Sequence, residues 1–169
     1  MSIAEQSIAA PSNSEDQPRL RDLFLFSAGG RTFGIFSEEV EGTAEAKHPT
    51  PLPHAPAAIL GVVYARGRML TLLDPVVVSG GETSTWQAEI PAIISLRGDE
   101  QLGLAAEAPG DTITISSSVI EVSDQHSAAE TNAAIVGILR HGRDKITVLD
   151  PARLFAAATQ RRNRRRRRF

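Results

Sequence analysis

Apolar residues along this chain gather in short runs parted by turn residues, the pattern of strands rather than of long helices. Leu23–Ser27 and Thr32–Phe36 flank Gly29-Gly30, so they are predicted to pair as a hairpin. Ala57–Ala65 and Arg68–Leu73 form the next hairpin, turning at Arg66-Gly67. Between the hairpins, Ser37-Glu38-Glu39-Val40 reads as one helical turn, with Ser37 as N-cap and acids in the first turn. Pro49, Pro51, Pro53 and Pro56 then exclude helix or central strand, which leaves an extended connection. Gly80–Ser84 reads as a loop, and a second β-rich half begins near Ile90.

The second half echoes the first. GVVYARGRMLTLLDP (61–75) aligns without gaps to GILRHGRDKITVLDP (137–151), with Gly61/Gly137, Thr71/Thr147, Leu73/Leu149, Asp74/Asp150 and Pro75/Pro151 identical. LFLFSAGGRTFGIF (23–36) aligns to AIISLRGDEQLGLA (92–105), sharing Gly29/Gly98 and Gly34/Gly103. Two matches in the same order imply two similar β subdomains, too small to be robust alone and stabilised by a shared core. Each copy ends in Leu-Asp-Pro, where Asp suits an N-cap and Pro the first helical position. After Pro151 a helix through Ala158 is expected; after Pro75 the β-branched run and Gly80-Gly81 allow only a brief one.

The expected organisation is a disordered lead over 1–19 and a mainly β domain over 20–158. Its subdomains cover roughly 20–80 and 88–150, a helix closes it at 151–158, and 159–169 form a tail. Hydrophobic residues make up 41% of the 169 positions and aromatics only 5%, so the core must be aliphatic. Eighteen Lys and Arg against twenty Asp and Glu give −2, but seven of those cations are Arg161, Arg162, Arg164, Arg165, Arg166, Arg167 and Arg168. The remaining eleven cations leave the body at −9, so an acidic body carries a +7 tail. That tail can contact nucleic acid, an anionic membrane surface, an acidic protein patch or its own body. The opening MSIAEQSIAAP has no cation before Arg19, so no secretory signal is expected, and Ala55–Ala65 is about half the length of a membrane helix.

Familiar catalytic patterns are missing. There is no cysteine, no phosphate-binding glycine loop and no nucleophile elbow around Ser116–Ser118. His48, His54, His126 and His141 lack metal-ligand spacing, so no metal or other cofactor is expected. Asp74 and Asp150 read as duplicated helix caps rather than an acid–base pair, and Asp99-Glu100 as a solvated turn. No catalytic residue and no small-molecule substrate are expected.

One stretch resembles a known family. Thr50-Pro51-Leu52-Pro53, Ala55-Pro56, Ile59-Leu60-Gly61-Val62, Ala65-Arg66-Gly67 and Leu72-Leu73-Asp74 are similar, in that order, to segments of the CheW-like family of bacterial chemotaxis coupling proteins. Phe24–Phe26, Phe33-Gly34-Ile35, Val40, Ile135-Val136-Gly137-Ile138 and Thr147-Val148-Leu149-Asp150 extend the resemblance over roughly 20–158. It implies two five-stranded SH3-like β-barrel subdomains with a hydrophobic interior between them. It also implies a non-enzymatic adaptor that couples the cytoplasmic tip of a chemoreceptor to the regulatory domain of a CheA-type histidine kinase, in the cytoplasm at receptor arrays. Val40, Gly61, Val62, Arg66 and Gly67 would lie on or beside the partner surfaces. Two departures stand out: Gly42-Thr43 follow Glu41 where the family carries an acidic or apolar residue, and Pro109 should disturb its strand.

Overall fold

The computed structural model describes residues 18–82, 86, 88–121 and 133–166, and the side chains of all of these except 46 and 160–166. The loop predicted over Gly80–Ser84 lies partly, and the lead over 1–17, His126 and residues 167–169 wholly, outside the described residues. Among the described residues, ten strands and two α-helices are formed. The strands are β1 Leu20–Ala28, β2 Arg31–Phe36, β3 Val40–Lys47, β4 Ile59–Ala65 and β5 Arg68–Leu73. After helix α1, Pro75–Val78, come β6 Ile90–Leu96, β7 Leu102–Ala106, β8 Ala108–Ser116, β9 Ile135–His141 and β10 Asp144–Leu149. Helix α2, Pro151–Arg166, closes the chain.

The strands make two five-stranded sheets, ordered β8-β1-β2-β10-β9 and β3-β6-β7-β5-β4. Each sheet therefore draws strands from both halves of the sequence. Subdomains confined to 20–80 and 88–150 do not exist, because the parallel pairs β2–β10 and β5–β7 stitch the halves together. The repeat nonetheless holds at the level of register. Val148 faces Gly34 in one sheet, and their counterparts Leu72 and Gly103 face each other in the second. The N-terminal match needs one inserted residue. Leu25 pairs with Gly34 but Ser95 with Gly103, so β6 is offset from β1 by one position more than β7 is from β2.

Neither sheet is a closed barrel. Each curls until one isolated bridge ties its far edge: Thr50 to Val62 in the second sheet, Glu121 to Ile138 in the first. The Thr50 amide donates to the Val62 carbonyl at 2.8 Å and the Val62 amide returns a bond at 2.9 Å; Glu121 and Ile138 exchange the same pair at 2.9 Å each. Gly61 and Gly137 permit these crossings. A Cβ on Gly137 would stand 2.6 Å from the Glu121 carbonyl oxygen, and one on Gly61 would run into the Thr50 carbonyl.

Strand alternation sorts the core into three parts. Leu23, Phe36, Ile115, Leu139, Ile146 and Val148 fill the first sheet's hollow. Val63, Leu70, Leu72, Ile90, Ile93 and Ala105 fill the second. Between the sheets, Phe26, Phe33, Ile35, Leu73, Ile94, Leu104 and Leu149 pack with Val76–Val78 of α1 and Leu154, Ala157 and Ala158 of α2. This is the shared interior expected of the repeat.

Both Asp caps form. The Asp74 carboxylate accepts from the Val76 and Val77 amides at 2.9 and 3.4 Å, and Asp150 from the Ala152 amide at 3.0 Å. The cap read at Ser37 does not. A single 3-10 turn spans Ser37–Glu39, its N-cap position is Phe36, and the Ser37 hydroxyl is buried without a partner. Ser37 is the first residue inside the turn rather than the one before it, so its side chain is not placed to cap the amides that follow. Pro109 disturbs β8 less than expected. The strand continues through it, and the ladder to β1 slips by one residue between Phe24 and Phe26. At a sheet edge the missing N–H faces no neighbour, and a bulge absorbs the rest. The closing helix does not stop at Ala158 but continues as backbone to Arg166.

Candidate partner-binding site

The β4–β5 turn places Arg66 and Gly67 in left-handed backbone, at φ of 52° and 77°. The turn projects both residues to the exposed end of the second sheet. Curling of that sheet brings the tip across to its opposite edge, where the Arg66 guanidinium lies on the backbone of Gly42 in β3. A Cβ at Gly42 would stand 2.6 Å from the guanidinium carbon. The departure noted at this position thus makes room for Arg66: an acidic or apolar side chain would occupy the same space.

Beneath the tip, Arg68 is ion-paired to Glu41 and also donates to the Leu96 carbonyl at 3.3 Å. Ser95 Oγ donates to the same Glu41 carboxylate at 3.1 Å. Glu41 is therefore engaged by Arg68 and Ser95, and no carboxylate among the described residues ion-pairs with Arg66. A guanidinium held on glycine backbone, with its donors unclaimed by an acid, is suited to a carboxylate or to helix-end carbonyls of a partner.

The other predicted residues serve differently. Val40 is half-buried at the start of β3, opposite Leu96, and packs on the shared core. Gly61 is buried at φ 144° and offers no surface of its own; it lets the proline-rich connection lie across β4. Val62 is half-buried and holds the bridge to Thr50. Arg66, Gly67 and Val40 thus gather at one end of the second sheet, while Gly61 and Val62 lie farther along β4. One apolar feature escaped the sequence reading. Tyr64 and Met69, directly paired across the hairpin, are 62% and 52% exposed beside the Arg66 turn. The period-2 alternation of β4 with Val63 and Ala65 inward was the available signal. The side chains of Arg161, Arg162, Arg164, Arg165 and Arg166, and the whole of Arg167 and Arg168, lie outside the described residues.

A second charged cluster surrounds the 3-10 turn. Arg21 pairs with Glu38 and lies 3.4 Å above the Phe36 ring, and its hydrogen bond, with one from the Glu38 amide, holds that carboxyl below its usual range. Glu39 is pushed the other way, first by burial, then by the nearby charges of Asp150 and Glu38. No group of three or more His, Asp or Glu among the described residues is arranged to hold a metal ion. No helix among them is long and apolar enough to cross a membrane.

Comparison with known families decides the relationship: the CheW-like domain matches residues 22–159. The chain belongs to the CheW-like domain family. It is 27% identical over 139 residues to a probable chemotaxis protein CheW of Rhizobium etli, covering 80% of this chain and 88% of that one. It is 30% identical over 99 residues to the chemotaxis protein CheW of Rhizobium meliloti, covering 57% and 62% respectively. Among solved structures, the scaffolding protein TtCheW of Thermoanaerobacter tengcongensis superposes with a TM-score of 0.67 at 22% identity, over 81% of this chain and 93% of that one. The two curled five-stranded sheets with an interior between them are thus the CheW-like fold.

Proposed function

We infer that this chain is a chemotaxis coupling adaptor, acting by protein–protein contact and without catalysis of its own. The observation that carries this reading is the CheW-like match across 22–159. In this reading the chain joins a chemoreceptor's cytoplasmic tip to the regulatory domain of a CheA-type kinase, in the cytoplasm at receptor arrays. The Arg66 turn, with Val40 behind it and Tyr64 and Met69 beside it, serves as one contact face. An exposed apolar pair next to an arginine has the make-up of an interface anchor. No finding favours the nucleic-acid or membrane role considered for the Arg tail.

Co-purification with a cognate kinase regulatory domain and a receptor-tip fragment, with and without residues 161–169, tests the reading. Both forms should assemble; assembly by neither would refute the adaptor role, and loss only on tail removal would move the contact to the tail. Arg66→Glu should weaken assembly while leaving the melting temperature within a few degrees. Unchanged affinity would remove Arg66 from the interface.

A further inference from the structure

We propose that the cleft between the β1–β2 and β9–β10 turns is a second contact site, taking a carboxylate-bearing segment of a partner protein. Strands β2 and β10 are parallel neighbours, Thr32 beside Ile146, so both begin at the same end of the first sheet. The turns preceding them therefore stand side by side. The cleft they form is lined by Gly30, Arg31, Thr32, Arg143, Asp144, Lys145 and Thr147.

Its charge is +3 against −1, on a body whose total is −9. Among the described residues no carboxylate pairs with Arg31, Arg143 or Lys145. Arg31 is held instead by neutral groups. Its Nη1 donates to Ser79 Oγ at 3.3 Å, Nη2 lies 3.5 Å from Thr147 Oγ1, and the guanidinium carbon stands 5.1 Å from the centre of the Phe33 ring. Thr147 is itself only 4% exposed and forms a fixed floor. These partners orient the fork without neutralising it, which preorganises it for a planar anion.

The duplicated framework supplies an internal control. The corresponding end of the second sheet, where β5 and β7 run parallel, carries Arg66 and Arg68 but also Asp99 and Glu100. In the repeat, the position of Arg31 is taken by Glu100, and those of Arg143 and Lys145 by Gly67 and Met69. Equivalent ends of the two sheets thus present mixed charge in one case and an unbalanced cationic cleft in the other.

Size and chemistry narrow the occupant. At about 290 Å³ the cleft is at or below the lower bound of small-molecule sites, and its lining is polar where theirs is mostly apolar. It suits a side-chain carboxylate. A nucleic-acid backbone needs a longer cationic track, and Asp144 on the rim opposes a dense polyanion while matching a segment that carries a cation as well.

Residue-resolved NMR titration of the full chain tests this, because shifts in the cleft are read apart from any at the Arg tail. The probes are a soluble peptide of alternating Glu and Ala, its Gln-Ala counterpart, and inorganic phosphate. The amides of Gly30, Thr32, Arg143 and Thr147 should move with the Glu-Ala peptide and not with Gln-Ala. The double variant Arg143→Gln/Lys145→Gln, at two exposed positions, should raise the Kd about tenfold. Arg31→Lys keeps the charge, loses the fork and should weaken binding as well. Silent cleft amides, equal response to Gln-Ala, or an unchanged Kd in the double variant would each overturn the proposal. Phosphate binding as tightly as the peptide would replace it with a small-anion site. The titration needs neither kinase nor receptor, so its outcome is independent of the adaptor reading.

Discussion

Replacing Gly61 by Ala isolates what holds the second sheet's open edge. Gly61 sits at φ 144°, and an added Cβ would lie 2.8 Å from the Thr50 carbonyl carbon and 3.2 Å from Pro51 Cα. These are backbone atoms, so relief requires the proline-rich connection to lift off β4. Lifting it breaks the reciprocal Thr50–Val62 hydrogen bonds, each contributing about 0.5–1.5 kcal/mol. Retaining a non-glycine residue in that backbone region adds about 1–3 kcal/mol of strain. Together these come to roughly 2–6 kcal/mol, a large share of the roughly 5–15 kcal/mol that holds a domain folded. Gly67 is the control. Its φ is 77° and nothing lies within 4 Å of an added Cβ, so Gly67→Ala should cost only about 1–2 kcal/mol. Urea denaturation with a common m-value reads the difference as a shift in midpoint. Hydrogen exchange should show the Thr50 and Val62 amides, bonded to each other's carbonyls, losing protection in Gly61→Ala before the other strand amides do. If Gly61→Ala is no less stable than Gly67→Ala, the close crossing over β4 does not constrain the fold as described. The comparison also bears on function: lost assembly in a Gly61 variant would report the fold, whereas in Gly67→Ala it would report the surface.

Other perturbations separate neighbouring roles. Asp74→Ala strands two buried amides and should cost about 1–3 kcal/mol, against about 0.5–1 kcal/mol for the more open Asp150→Ala; equal shifts in melting temperature would contradict the burial difference. Glu38 and Glu39 should show opposite pH behaviour. The raised Glu39 carboxyl favours the fold at low pH and loses that contribution as pH rises through its folded value, so Glu39→Gln should be more stable than the parent near pH 7 and lose the advantage near pH 4. The lowered Glu38 carboxyl stabilises above the ordinary carboxylate range and stops doing so as pH falls, so Glu38→Gln should be the less stable near pH 7; melting curves at the two pH values with the signs reversed would refute both assignments. Gly42→Val should displace the Arg66 guanidinium and weaken kinase assembly as Arg66→Ala does, and in a double-mutant cycle the two effects should not add; additivity would uncouple them.

Local features were legible because local chemistry sets them. Gly29-Gly30 and Arg66-Gly67 announced their hairpins through turn residues, and Asp74-Pro75 and Asp150-Pro151 their helices through capping. Strand β3 was not legible. Its sequence, VEGTAEAK, is poor in β-formers, and its apolar contacts are few and split: Val40 packs on the shared core and Ala44 in the second sheet's hollow, with a register shift between Val40 and Gly42, so no alternation marks the strand. The sharing of sheets between the sequence halves was also hidden. A repeat shows which strand pairs are alike, but the parallel contacts β2–β10 and β5–β7 join segments far apart in sequence. At the site, Arg66 was readable from its turn, yet its seat on Gly42 was not, because only the curl of the sheet brings β3 under the β4–β5 tip.

What the two copies share and where they differ follows from position. Gly61 and Gly137 both admit a crossing backbone, Asp74 and Asp150 both cap a helix, and Leu73 and Leu149 both enter the shared core. Each of these positions is dictated by contacts within the chain, where another residue would strain the backbone or empty the core. The turns are free of that demand. One reads Arg66-Gly67-Arg68-Met69, the other Gly142-Arg143-Asp144-Lys145. Yet both keep the left-handed entry, Arg66 at φ 52° and Gly142 at 63°. The left-handed entry is thus kept while the residue after it, left-handed at Gly67 but not at Arg143, and the charge and apolarity of the tips vary. A fold built this way can offer two similarly placed ends of different chemistry, which suits an adaptor that meets unlike proteins.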